Sequence, residues 1–484
     1  MTALAKSAIA PPMSGEAMPR LSVARLRALG PAILVCVAVV WTTVQFPQGS
    51  GGREPMGLTR DAVPLLAALI AVRPWRTMRW WVLALAALVG TCALAVCEVT
   101  TPGWFGANRA ASYGISAATF VVVAAYARRA NRAYFIAAAV TIAGGIQFCR
   151  ALVPWWGSRD PATEMIGTFY WHNQFGAFLL APAILGLALI LAGRAPFRFA
   201  GWIGAPLAVA GIVYSSSRGS ALVLGFGWLV MGVLALRSRR RARRLVVRWL
   251  AASAIAVGVT FGFAGPPFFS TWHAPWAAAQ ARAATGQTLE QNGGVRLSLW
   301  HQALIVFEHH PVAGAGYGAM SDEAIKLTPA NWPRSPLAHN DYLQAFAEGG
   351  VLLGGPFLAA CGAIAVFVAR RTWLLLRRGT TDPLRAGVTV AATMVMAHAA
   401  IDFDWSYPAL FATAAAVVGL ACAGATTSRS RCGNPIERRS AALAISGATL
   451  LITAVVIGSV AGRHGGISLV YRGTPAAADA LVVR

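Results

Sequence analysis

A few charged residues stand in this sequence where charge is otherwise scarce. Arg218 follows Ser215-Ser216-Ser217 and precedes Gly219, in a turn so short between two apolar runs that its guanidinium must lie near a membrane surface. Arg296 and Trp300 belong to a stretch, Val295 to Glu308, in which Val295, Leu299, Ala303 and Phe307 recur every fourth position. That spacing predicts an amphipathic helix lying along the membrane surface. His339 sits in Ala338-His339-Asn340-Asp341-Tyr342-Leu343, a polar helix start that leads through Glu348-Gly349 into another apolar run. Asp402 and Asp404 close a further run, in His398-Ala-Ala-Ile-Asp402-Phe403-Asp404-Trp405. Guanidinium groups hold phosphate oxygens through bidentate, permanently charged hydrogen bonds, and a neutral imidazole can take up a proton near pH 7. The residue types therefore suit an anion site beside a proton acceptor.

The elements that must carry these residues follow from composition. The chain of 484 residues is 57% hydrophobic and 12% charged, and its mean hydropathy is +0.59. A soluble domain carries about twice that charge. Apolar runs of roughly 20 residues span a bilayer as helix, whereas an outer-membrane barrel would show alternating ten-residue segments. The composition excludes a barrel, a disordered chain and a soluble enzyme. The expected fold is all-α: a polytopic transmembrane bundle of about 12 to 13 spans with one large outer-face loop containing short helices. The runs lie near 30–46, 57–72, 80–98, 110–127, 133–150, 173–192, 199–216, 219–236, 248–264, 350–369, 386–401, 406–424 and 440–461.

The formal charge of +24, from 41 basic and 17 acidic residues, has a topological meaning. Arginine clusters follow every other run, at Arg73/Arg76/Arg79, Arg128/Arg129/Arg132, Arg194/Arg198, Arg237 to Arg244, Arg370/Arg371/Arg377/Arg378 and Arg429 to Arg439. This is the positive-inside pattern, and it makes the N-terminus cytoplasmic and leaves no call for nucleic acid. The expected organisation is a cytoplasmic tail 1–29, a first bundle 30–264, a large extracytoplasmic catalytic loop 265–349, a second bundle 350–461 and a tail 462–484. Loops of that length usually carry function. Cys36, Cys92, Cys97, Cys149, Cys361 and Cys422 fall in runs and Cys432 in a cytoplasmic loop, so no outer-face disulfide is expected.

Five motifs in order across 167–350 resemble the O-antigen ligase and O-antigen polymerase superfamily, with the related protein O-oligosaccharyltransferases. They are Gly167-Thr168-Phe169 with Asn173-Gln174-Phe175; Ser217-Arg218-Gly219; Arg296 with Trp300; His310-Pro311 with Gly314, Gly316 and Gly318; and His339-Asn340 with Leu343, Glu348 and Gly349. The segment from His398 to Trp405 resembles the acidic stretch that members carry after the big loop. The resemblance implies a multi-pass glycosyltransferase of the cytoplasmic membrane whose site faces the periplasm. Such an enzyme would take a glycan from undecaprenyl diphosphate to an acceptor hydroxyl on lipid A core, another glycan or a protein. It would carry over Arg218 and Arg296 as the diphosphate-binding arginines and His339 as the catalytic histidine. Asn173, Trp300, Asn340, Asp341, Tyr342, Asp402 and Asp404 are candidate acceptor or sugar contacts. The chain departs from the family where Tyr170-Trp171-His172-Asn173 replaces the commoner Gly-Asn-Pro-Asn.

Other chemistries are open at this level. An O-antigen or exopolysaccharide polymerase uses the same donor and differs in its acceptor. A glycolipid transporter or flippase would bury ionisable groups at the membrane midplane, whereas here the polar groups gather on one face. Tyr170, Trp171, Trp300, Tyr342 and Trp405 could stack on sugars, but for most of them the interfacial aromatic belt is the better fit. His309 and His310 have no third ligand at a zinc-like offset. Asp160, Glu164, Asp341, Glu348, Asp402 and Asp404 could hold a divalent ion, but the arginine pair supplies the same charge, and no metal or other cofactor is expected.

Overall fold

A computed structural model describes residues 23–43 and 55–423, apart from 159, 161, 170, 239–240, 267, 286–288 and 379–381. Its helices are α1 (Val23–Thr43), α2 (Pro55–Val72), α3 (Trp80–Thr100), α4 (Trp104–Tyr126), α5 (Ala130–Ser158), α6 (His172–Ala192), α7 (Phe197–Tyr214) and α8 (Arg218–Leu236). They continue with α9 (Ala242–Gly262), α10 (Ala277–Thr285), α11 (Leu289–His309), α12 (Met320–Leu327), α13 (Asp341–Arg378), α14 (Pro383–Ala399) and α15 (Pro408–Cys422). The chain is an all-α polytopic bundle. Among the described residues seven helices, α3, α5 to α9 and α13, are long and apolar enough to cross a membrane, and Gly30–Trp41 and Pro408–Cys422 are shorter apolar segments. The expected runs at 57–72, 110–127 and 386–401 are also helical, as α2, α4 and α14. Of these, α4 carries Asn108, Arg109, Ser112 and Ser116, and α14 has only 17 residues. Most of the expected tail 1–29, the run 440–461, the tail 462–484, the Arg429 to Arg439 cluster, Cys432 and Tyr170 lie outside the described residues.

The centre of the bundle is α6, which is apolar all round and almost wholly buried, as expected of a helix with neighbours on every side. It packs against α5, α7, α8, α9 and α14. Small residues allow the close approaches. A side chain at Gly186 would meet Ala205 on α7, and one at Gly387 on α14 would meet Ala188. Between helices immersed in lipid, such close contact replaces the hydrophobic drive that water supplies elsewhere.

The amphipathic stretch at 295–308 lies within the longer α11, and α10 and α12 add short helices to the segment between α9 and α13. The end of that segment docks on a broken helix. Helix α13 is interrupted at Gly350, where φ is +56°. Breaking a helix frees backbone groups that need partners away from water, and the glycine-rich turn 310–318 supplies them. The N–H groups of Val351 and Leu352 donate to the carbonyls of Pro311 (2.8 Å) and Val312 (3.0 Å), while those of Ala315 and Gly316 donate to Ala347 (2.9 Å) and Glu348 (3.0 Å). Gly314 lies against the Glu348 backbone with φ of +72°, so a side chain there would collide with the main chain.

Two further ties anchor the turn. Tyr317 accepts no freedom at either end: its N–H donates to Thr101 Oγ1 at 2.8 Å and its hydroxyl to the Ala93 carbonyl at 2.9 Å. Glu348 receives the N–H of Gly318 at 2.8 Å on one oxygen and pairs with Arg109 of α4 at 3.4 Å on the other. The left-handed conformation alone costs a residue with a Cβ about 1–2 kcal/mol. Gly314→Ala should therefore lower the apparent melting temperature of the detergent-solubilised protein and weaken any activity of the docked loop. An unchanged melt would mean that the turn is not held against α13 in this way.

Candidate active site

The turn between α14 and α15 is organised by its own backbone. The carbonyl of His398 accepts the N–H groups of Ile401 (2.9 Å) and Asp402 (3.0 Å), and Pro408 starts α15 where a missing N–H costs nothing. Asp402 is 2% exposed, and each of its carboxylate oxygens meets a different element. Oδ1 accepts from His339 Nδ1 at 3.1 Å and also from the N–H of Phe403 at 3.0 Å, while Oδ2 accepts from Arg296 Nη2 at 3.3 Å. Burial by itself raises the Asp402 carboxyl, but the His339 hydrogen bond and the charges of His339, His398 and Arg296 outweigh it and hold it down to about 2. An ionised Asp402 selects the imidazole tautomer with its proton on Nδ1. Among the described residues no protein group bonds the other nitrogen, Nε2, and the ring is 21% exposed.

His339 is held from several sides. Its φ of +50° is unusual for a residue with a side chain, and Trp300 Nε1 donates to its carbonyl at 3.1 Å. Phe403 stands edge-on to the ring, 4.5 Å between centroids. The following residues lock the start of α13 onto the α14–α15 turn. Asn340 Oδ1 caps the helix by accepting from the N–H groups of Tyr342 (3.1 Å) and Leu343 (3.0 Å), and its amide donates to the Ala400 carbonyl at 2.9 Å. Buried Asp341 accepts the N–H of Trp405 at 2.9 Å, and the Tyr342 hydroxyl donates to the Met396 carbonyl at 3.0 Å. These polar atoms are engaged with the main chain. Trp405 is buried too, stacked on Phe411 and edge-on to Tyr342 and Phe357, rather than standing in an interfacial belt.

Arg218 is the first residue of α8, half-buried, with Ser217 as the helix cap accepting from the Ser220 N–H. The same helix start meets the turn of the two aspartates through a buried chain. Ser220 Oγ lies 3.1 Å from His398 Nε2, and His398 Nδ1 lies 2.7 Å from Asp404 Oδ2. Burial raises the Asp404 carboxyl despite His398, and the neighbouring Asp402 charge adds to the rise. The two aspartates, only two residues apart, thus carry opposite shifts. Asn173 lies in the first turn of α6, whose Gly176 packs against Ser215, Ser217 and Ser220.

The sequence-selected residues Arg296, His339 and Asp402 come together directly, Trp300, Asn340, Asp341 and Tyr342 support them, and Arg218 joins through Ser220 and His398. Arg109 escaped the sequence reading. Its guanidinium bonds Glu348 and the Ser406 carbonyl, the latter at 2.9 Å, and so ties α4 both to the broken helix and to the α14–α15 turn. The available signal was an arginine inside an apolar run, a placement that normally requires a partner.

A family model described as O-antigen ligase matches residues 203–358, from α7 to just past the break in α13. The match bears out the resemblance drawn from the motifs: this stretch of the chain is similar to the O-antigen ligase family, and among the described residues seven helices are long and apolar enough to cross a membrane. Arg218, Arg296, Trp300 and His339 lie within the match, and Asp402 and Asp404 lie beyond it. No curated protein matches the chain.

Because the Asp402 carboxyl is held below its ordinary value, its contribution to stability is full above about pH 4, the unfolded value, and is lost as the pH falls through about 2. Asp402→Asn should therefore melt below the wild type at pH 7, and the gap should close as both are taken from pH 4 towards pH 2. A gap that persists at the acid end would mean that the aspartate acts by shape and not by charge.

Proposed function

We propose that the protein moves a glycan from undecaprenyl diphosphate to an acceptor hydroxyl, with lipid A core as the acceptor, at the outer face of the cytoplasmic membrane. In this reading the stretch 265–349 is the extracytoplasmic catalytic loop, set between bundles 30–264 and 350–461, and the N-terminus is cytoplasmic. The observation that carries the proposal is the sharing of one buried carboxylate, Asp402, by Arg296 and His339. It sets a phosphate-binding group beside a proton acceptor.

The chemistry needs only these two functions. The acceptor oxygen attacks C1 of the donor sugar, the bond from C1 to the diphosphate oxygen breaks, and its electron pair leaves with the diphosphate. Arg218 and Arg296 hold that growing negative charge through bidentate hydrogen bonds. The acceptor's proton goes to His339 Nε2, while Nδ1–H stays bonded to Asp402, which orients the ring and stabilises the imidazolium that forms. Diphosphate is a good leaving group and requires no general acid. The guanidinium pair supplies the charge a divalent ion would bring, so the reaction proceeds without a metal.

The test is glycan transfer by purified protein, given undecaprenyl diphosphate oligosaccharide with lipid A core, with a second carrier-linked glycan, or with no acceptor. Product on lipid A core is expected. Arg218→Lys and Arg296→Lys should each lower kcat/KM by about 10- to 100-fold although charge is kept, because a point charge cannot make the forked contact. His339→Ala should abolish transfer. Full rates in both lysine variants, or in His339→Ala, would remove the assigned roles. Lengthened carrier-linked glycan in place of ligated core would make the protein a polymerase.

A further inference from the structure

We propose that His398 is a positioning residue that sets the spacing between Arg218 and the pair Arg296–His339, an inference that rests on the transfer reaction proposed above. The residue has three attachments that point different ways. Its Nε2 meets Ser220 Oγ at 3.1 Å, its Nδ1 meets Asp404 Oδ2 at 2.7 Å, and its carbonyl accepts the N–H groups of Ile401 and Asp402. One side of the ring thus holds the first turn of α8, which carries Arg218. The other side, together with the backbone, holds the turn whose Asp402 binds Arg296 and His339.

Hydrogen bonds run unbroken along the whole chain: the Ser217 hydroxyl donates to Ser220 Oγ at 2.9 Å, Ser220 Oγ lies 3.1 Å from His398 Nε2, and His398 Nδ1 lies 2.7 Å from Asp404 Oδ2. With the ring proton on Nδ1, Asp404 accepts from it and the Ser220 hydroxyl can donate to Nε2. Because Ser217 is also the cap of α8, the chain fastens the residue next to Arg218. Packing reinforces it: a side chain at Gly219 would stand 3.3 Å from His398 Nε2, so the helix backbone rests directly on the imidazole.

The order serine, histidine, aspartate resembles a nucleophilic triad, but burial argues for a different role. Ser220 is 0% and His398 1% exposed, so neither presents an atom to a substrate. The exposed histidine of the site is His339, and His398 acts behind it.

The experiment is donor-saturation kinetics with undecaprenyl diphosphate oligosaccharide and a fixed excess of acceptor. His398→Ala should raise the half-saturating donor concentration about tenfold, the effect of a lost hydrogen bond and a displaced contact, with the saturated rate within about threefold of wild type. The variant pairing His398→Ala with Arg218→Ala should be no weaker for donor than Arg218→Ala alone, because a residue acting through Arg218 then has nothing left to position. Ser220→Ala removes one hydroxyl and keeps the helix cap, so it serves where His398→Ala does not fold; it should shift donor saturation in the same direction by a smaller factor. Effects that multiply in the double variant, or unchanged donor saturation in Ser220→Ala, would overturn the positioning role. Unchanged donor saturation in Arg218→Ala would instead overturn the diphosphate assignment beneath it.

Discussion

A carboxylate taken out of water must find compensation, and at Asp402 this requirement organises the surrounding structure. Desolvating an anion costs several kcal/mol unless charge and hydrogen bonds replace the lost water. Asp402 finds them in Arg296 from α11, in His339 ahead of α13, and in the main chain of its own turn. Three segments distant in the chain are drawn to one point because each brings something the carboxylate needs. The same contacts leave the His339 side chain 21% and the Arg296 side chain 29% exposed. Structural stability and the proposed chemistry thus depend on one ionised group.

That point is only as rigid as the elements behind it, and most of the remaining polar contacts serve to hold them. The break at Gly350 lets the glycine-rich turn 310–318 dock along α13, and Glu348 with Arg109 ties the docked turn to α4 and to Ser406. Side chains that sequence reasoning offered as sugar or acceptor contacts, such as Asn340 and Tyr342, are engaged in fastening α13 to the α14–α15 turn. A site supported in this way keeps its geometry without relying on flexible loop ends.

Residue type alone would not have separated the two histidines. His339 and His398 each bond an aspartate through Nδ1, and those aspartates are only two positions apart. Exposure and the second ring nitrogen distinguish them: His339 has Nε2 clear of protein partners among the described residues, and His398 has it committed to Ser220. The aspartates diverge for related reasons. Asp402 is bonded by a histidine and an arginine and stays ionised, while burial dominates at Asp404.

Much was legible in the linear chain because it depends on local composition. Apolar runs of bilayer length, basic clusters between them, the four-residue spacing around Arg296 and the polar start at Asn340 each follow from the behaviour of neighbouring residues. Arg218 also stood out as a charge at a membrane edge, whereas Arg296 and His339 were singled out through the motifs of the resemblance. The pairings were not legible. Arg109 and Glu348 are separated by 239 positions, and Ser220 and His398 by 178. Asp402 and Asp404 read alike, as candidate acceptor or sugar contacts at the end of a run. Helices that are apolar on all sides carry no periodic mark of which neighbour they face, so their partners are chosen by shape, through small residues such as Gly186 and Gly387. Only when that packing is complete does it follow which carboxylate is buried beside which cation, and hence what each residue can do.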